Sequence, residues 1–312
     1  MDRVSLSDDD RQAFETAQAR LRAILPEDYQ DTYEDIQPVS MGSAGLKYAA
    51  DGQVAWNEMW ATFCDLAMAG GPPHKGALLE AAPRTAVDAA PERYDEVVEE
   101  ICRGVTMVTD LGAYPAPIPG WIHVDCFSEA MAGWLLRAIV MENVSARTEG
   151  LALALPAGPD YRLEKEIKNV VTVIAKTCHY WTGHMWLPQR RKIAALLAAM
   201  AAESPVIAPA VSTDGVPDGH DRAFAALADA VRHDTGLATS PHRYVGWLGV
   251  ECPGVPAAVW MMRLLVAGNI LTRREGTALF VPVNPATDPE GRAIAQALAR
   301  VHRFAAAYGV LL

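Results

Sequence analysis

Positive charge is scarce in this chain. Its 312 residues include 27 Lys and Arg against 38 Asp and Glu, a formal net charge of −11. A protein that grips nucleic acid by neutralising phosphates needs a basic surface, so that class is excluded. A local anion site is not excluded, since net charge says nothing about one pocket. Cysteine is sparse as well. Five residues, an odd number spread over the whole length, argue against a disulfide scaffold and suit a reducing cytoplasm. Long apolar runs are missing: the richest, 192–203, is short and built on Ala, so no membrane partner is expected. The start, MDRVSLSDDDRQ, is acidic and polar, unlike a secretion leader.

Several motifs are absent too. There is no CxxC, no HExxH and no paired-cysteine ligand spacing. No GxGxxG follows a strand, which removes support for a nicotinamide or nucleotide cofactor. Lys75 is followed by Gly76, so GGPPHKG (70–76) is not a phosphate loop. No GxSxG elbow is present.

What is present is a repeat. Residues 120–156 read GWIHVDCFSEAMAGWLLRAIVMENVSARTEGLALALP and return at 246–282 as GWLGVECPGVPAAVWMMRLLVAGNILTRREGTALFVP. Fifteen of 37 positions are identical without a gap, among them Trp121/Trp247, Cys126/Cys252, Arg137/Arg263, Asn143/Asn269, Arg147/Arg273 and Glu149/Glu275. Self-similarity of this kind points to internal duplication.

Periodicity supplies the elements around the repeat. It predicts helices over about 9–24 (capped by Ser7 or Asp8), 53–69, 75–81, 91–108, 128–142 (capped by Ser128), 162–185, 191–203, 220–233 and 290–306, and strands over 120–126 and 150–156 with their counterparts. The segment at Phe63–Cys64 answers Thr177–Cys178, and 290–306 answers 164–180. The expected fold is α/β or α+β: duplicated helix–helix–strand–helix–strand units with pseudo-twofold symmetry and an extra C-terminal helix. The boundaries are an N-terminal helix and irregular arm (1–52), a first unit (53–160), and a second unit with the terminal helix (161–312), both units sharing one core.

The duplication separates scaffold from site. A residue kept in both copies serves packing or half of a twofold site; a polar residue in one copy only is a candidate for function. Cys126 and Cys252 each follow an acid at a strand-to-helix junction, where free amides lower a thiol pKa; the alternative is that both are small buried hydrophobes. The polar surround of Ser128 and Glu129 favours Cys126 as the nucleophile. His123 and Asp125 share one strand face, in reach of acid–base work, and Gly249 replaces His123 in the second copy. His179 and His184 lie five apart, a poor fit to one α-helical face. The catalytic candidates are therefore Cys126, His123, Asp125 and His179. A metal set assembled from His123, Cys126, His179 and His184 stays open, as does haem. His74 and Lys75, on the rigid Pro/Gly turn, join Arg137, Glu142 and Asn143 as substrate-binding candidates. Arg147–Glu149 and Arg273–Glu275 read as structural ion pairs.

The expected function is a soluble enzyme acting on a small polar or anionic metabolite in a cleft between the units, by Cys/His acid–base or covalent chemistry. A metal-, haem- or tetrapyrrole-binding protein and a non-catalytic structural or regulatory protein are the alternatives. The expected partner is a small molecule, and a homo-oligomer is compatible with the sequence.

Overall fold

The computed structural model describes residues 6–33, 45–59, 65–210 and 215–311. It is a mixed helix-and-sheet, α+β structure. The chain divides into two compact units, Pro26–Ala194 (the first unit) and Met1–Leu25 with Ala195–Leu312 (the second). Phe63–Cys64, compared above with Thr177–Cys178, lies outside the described residues. Among the described residues no helix is long and apolar enough to cross a membrane.

Helix α1 (Asp8–Ile24) begins where the sequence predicts. The Ser7 side chain accepts from the Asp10 amide at 3.1 Å, and three aspartates occupy the first turn, where negative charge meets the positive end of the helix dipole. Its Phe14 ring packs on Trp260, Phe304 and Tyr308, and the helix is part of the second unit.

The first unit departs from expectation at its start. The helix expected over 53–69 is absent from the part of that stretch that is described. Short 3-10 turns stand at Trp56–Glu58 and Ala67–Ala69, and Val54 bridges Tyr48 instead. The cause is tertiary: Trp56 is buried and its indole donates to Glu100 at 2.9 Å, which fixes the chain in a tight turn. The helix expected over 75–81 is also replaced. Leu79 there makes a parallel bridge to Val144, and α2 (Arg84–Ala89) forms only after Pro83.

Next, α3 (Pro91–Thr109) starts with proline in its first turn and ends at Asp110, φ 58°. Then come β1 (Ala113–Pro115), β2 (Trp121–Asp125), α4 (Glu129–Met141), β3 (Arg147–Glu149) and β4 (Ala152–Pro156). Ser128 caps α4 by accepting from the Met131 amide. Asn143, at φ 60°, turns the chain out of the helix, a conformation Asn tolerates better than most side chains. The strands form an antiparallel sheet in the order β1-β2-β4-β3, with Trp121 opposite Pro156 and His123 opposite Ala154. Helix α5 (Lys168–His179) packs against α3 and α4. It is flanked by π-helical turns at Leu163–Ile167 and Tyr180–His184, so the predicted 162–185 helix is α-helical only in its middle. It lies within the first unit rather than opening the second. Helix α6 (Leu187–Glu203) contains the point of division.

In the second unit follow α7 (His220–Thr235), β5 (Trp247–Glu251), α8 (Val255–Ala267), β6 (Arg273–Glu275), β7 (Ala278–Pro282) and α9 (Arg292–Ala307). The sheet runs β5-β7-β6, with Trp247 opposite Pro282 and Gly249 opposite Phe280. Asn269 has φ 67°. The Cys252 amide donates to Thr277 O at 3.1 Å, as the Cys126 amide does to Leu151 O at 3.0 Å. Helix α9 packs on α7, as α5 packs on α3.

Candidate functional site

The face of the first unit's sheet is built by the strand alternation. Tyr114 on β1 stands opposite His123 on β2, His123 opposite Ala154 on β4, and Ala154 opposite Arg147 on β3. Directly opposed residues point to the same face, so these four form one row. Trp121, two residues before His123, shares the face. Only a methyl group, that of Ala154, separates His123 from Arg147. The Arg147 guanidinium reaches over the Trp121 ring, 4.8 Å from its centre.

This face has an unusual accounting of hydrogen bonds. Trp121 Nε1, His123 Nε2, and Arg147 Nε and Nη2 are buried and have no hydrogen-bond partner among the described residues. Glu149 is close: its carboxylate lies 3.2 Å from Arg147 Nη2, an ion pair without hydrogen-bond geometry, and 3.7 Å from His123 Nε2. Buried polar atoms are nearly always paired, and each orphan costs about 1–3 kcal/mol. Four such atoms lie on this one face. The expected His123–Asp125 couple is not seen. Asp125 accepts from the Tyr114 hydroxyl at 2.8 Å, while the His123 ring meets the Tyr114 ring edge-on.

The residues expected to line a substrate rim gather elsewhere in the same unit. Glu142, wholly buried, forms an ion pair with equally buried Lys176 at 2.6 Å. Its carboxylate also accepts from the backbone amides of Ala67 and His74, both at 2.9 Å. Asn143 Nδ2 donates to Lys75 O, and Lys75 Nζ lies 3.5 Å from Glu166. Lys176 further donates to Asp65 O at 3.4 Å, and the Asp65 side chain accepts from Tyr29, whose hydroxyl meets that of Tyr180 at 2.6 Å. Glu142 and Asn143 thus hold the Pro/Gly loop in place. Burial, then the charges of Lys176 and Lys168, pushes the His74 pKa down to about 4. Sequence reasoning missed Lys176. The signal was a lysine inside the apolar run VVTVIAKTC, a position that requires a buried acid.

Arg137 is buried and donates to Gly133 O, one turn back in its own helix, at 2.7 Å; burial lowers its pKa to about 10. Cys126 is buried, and burial followed by the Asp125 charge raises its pKa to about 12, opposite to the lowering expected at a helix start. Cys252 is raised to about 12 by burial and then Glu251. Burial, then the neighbouring Cys126, raises Cys178 as well. The His179 and His184 rings approach each other at the end of α5, 3.2 Å between their Nε2 atoms. Among the described residues no group of three or more His, Cys, Asp or Glu is placed to hold a metal, so His123, Cys126, His179 and His184 are not one cluster.

No family model, curated protein or solved structure matches this chain.

Proposed function

We propose that the protein is an enzyme acting on a small amino or hydroxy acid held on the Trp121–His123–Arg147 face. The observation that carries this reading is the set of unpartnered buried atoms there. Arg147 and Trp121 are donors only and suit a carboxylate. Glu149, beside both Arg147 and His123, suits the ligand's ammonium or hydroxyl group. His123 is the group that takes or gives a proton at the carbon that bears the ligand's amino or hydroxyl group. Cys126 stays a thiol at neutral pH when its pKa is near 12, so the chemistry is acid–base rather than covalent. Asp125 tethers Tyr114 against the imidazole.

On the same reading the chain is an internal duplication with pseudo-twofold symmetry, whose second copy kept the scaffold and lost His123. The acidic net charge favours a small-molecule partner over nucleic acid, the sparse cysteines favour the cytoplasm, and a homo-oligomer is compatible with both.

The test is calorimetric titration with a panel of small amino and hydroxy acids and the matching amides. Wild-type protein binds an acid and not its amide, and Arg147→Met and Ala154→Phe lose that binding. His123→Gln keeps binding but loses turnover of the bound acid. A panel without any binder, or binding that survives Arg147→Met unchanged, refutes the proposal.

A further inference from the structure

The π-helical turn that follows α5 does something an α-helix does not. Its i to i+5 hydrogen-bonding pattern brings residues five apart onto one side. His179 and His184 are such a pair, which is why a spacing unfit for an α-helical face ends with two imidazoles in contact. Their Nε2 atoms are 3.2 Å apart, and the rings meet at 73° with centres 5.0 Å apart. Two nitrogens each about 2.0–2.1 Å from one tetrahedral zinc ion stand about 3.3–3.4 Å apart, so the hydrogen-bonded separation of 3.2 Å is slightly shorter than a tetrahedral edge and opens to it with a small shift of either ring.

The second ring nitrogen of His184 is also accounted for. Nδ1 lies 2.8 Å from the Asp28 carboxylate. With its proton on Nδ1 and donated to Asp28, His184 presents the Nε2 lone pair, the orientation that a carboxylate imposes on a metal-bound histidine. We propose that His179 and His184 form a two-histidine chelate for a borderline divalent transition metal such as zinc, cobalt or nickel, oriented by Asp28.

Imidazole nitrogen is the donor these ions favour. His179 binds through Nε2 with its proton on Nδ1. The pair is accessible: His179 is exposed and His184 partly so. Two protein ligands leave the remaining positions to water or to a bound molecule, so this is an open site rather than a closed structural one. A shallow pocket lined by Asp110, Phe127, Cys178, His179 and Thr182 adjoins it.

The experiment is titration of the full chain with Co2+, read by visible absorption, with Zn2+ as competitor. The expected result is one Co2+ per chain with visible bands distinct from those of the aqueous ion, displaced by Zn2+. His179→Gln and His184→Gln each abolish the bands at the concentration that saturates wild type. Asp28→Asn weakens binding about 10- to 100-fold. His242→Gln, at an exposed histidine beside Glu275 in the second unit, leaves it unchanged. These are surface positions, so circular dichroism of each variant matches wild type. Arg147→Met also leaves Co2+ uptake unchanged, which separates this proposal from the preceding one. Wild-type protein that takes up none of these ions, or a His179→Gln/His184→Gln double variant that binds as wild type does, overturns it.

Discussion

The rows across the two sheets at His123 and at Gly249 start from one register and end with different contents. In the first unit the row is Tyr114, His123, Ala154 and Arg147. In the second, Phe280 lies between Gly249 and Arg273. The aromatic ring stands on the middle strand of the row there, not on an edge strand. A Cβ on Gly249 would come within 2.7 Å of Ser240 Cβ and 2.9 Å of the Phe280 ring, so glycine there makes room for both. The consequence falls on the arginine. Arg273 is enclosed by Tyr244, Trp247 and Phe280 at 4.1–5.0 Å and pairs with Glu275 at 2.6 Å. Arg147 meets one ring and a looser Glu149. One arginine is wholly buried; the other is partly exposed.

The largest expected effect tests another difference. Glu142, whose place in the second repeat is Gly268, holds Lys176. Glu142→Leu leaves a buried ammonium uncompensated and costs about 3–5 kcal/mol in urea unfolding, much of which the Glu142→Leu/Lys176→Met double variant restores. Phe280→Ala removes the ring that the second row is built on and costs a similar amount, about 3–5 kcal/mol. Ala154→Phe overfills the first row and costs about 1–3 kcal/mol by the same measurement; adding His123→Gly, which copies the second row, recovers most of it. If the double variant is no more stable than the single one, the two rows do not pack by the same rule.

Smaller still is a pH effect confined to the first unit. His74, with its pKa lowered to about 4 in the fold from 6.5, is bound to more protons unfolded than folded between those values. The stability it contributes is complete above pH 6.5 and is lost as pH falls towards 4. The loss amounts to about 1–3 kcal/mol, and the His74→Gln variant shows a correspondingly flatter stability profile. The smallest effect is a likeness. Cys126 and Cys252, both raised to about 12, stay unmodified by iodoacetamide at pH 7.5 in the folded protein and react together on unfolding. Fast selective alkylation of Cys126 contradicts its burial.

Much of the scaffold was legible because its causes are local. Ser7 and Ser128 cap the helices they precede, and alternation in 120–126 gives the strand its two faces. Asn143 and Asn269, identical in the repeat, both take the left-handed turn their position requires. The stretch at 53–69 misled for the converse reason. Its apolar spacing suits a helix, but burial of Trp56 against Glu100 decides the backbone. Asp125 likewise shares a face with His123 yet bonds to Tyr114, a partner on a neighbouring strand.

The amino-acid sequence by itself determined, to within a residue or two, β2, α4 and β4 and their counterparts β5, α8 and β7, since caps, breakers and hydrophobic period act within a few residues; the short strands β3 and β6 it read as a turn. Tertiary structure alone decided that Lys176 meets Glu142, that Arg147 reaches Trp121 over a methyl group, and that α1 packs with α8 and α9. It also widened the end of α5 into the π-helical turn that aligns His179 with His184. Each of these depends on which distant segment covers a side chain, and burial by a distant segment leaves no period in the chain for a local pattern to reveal.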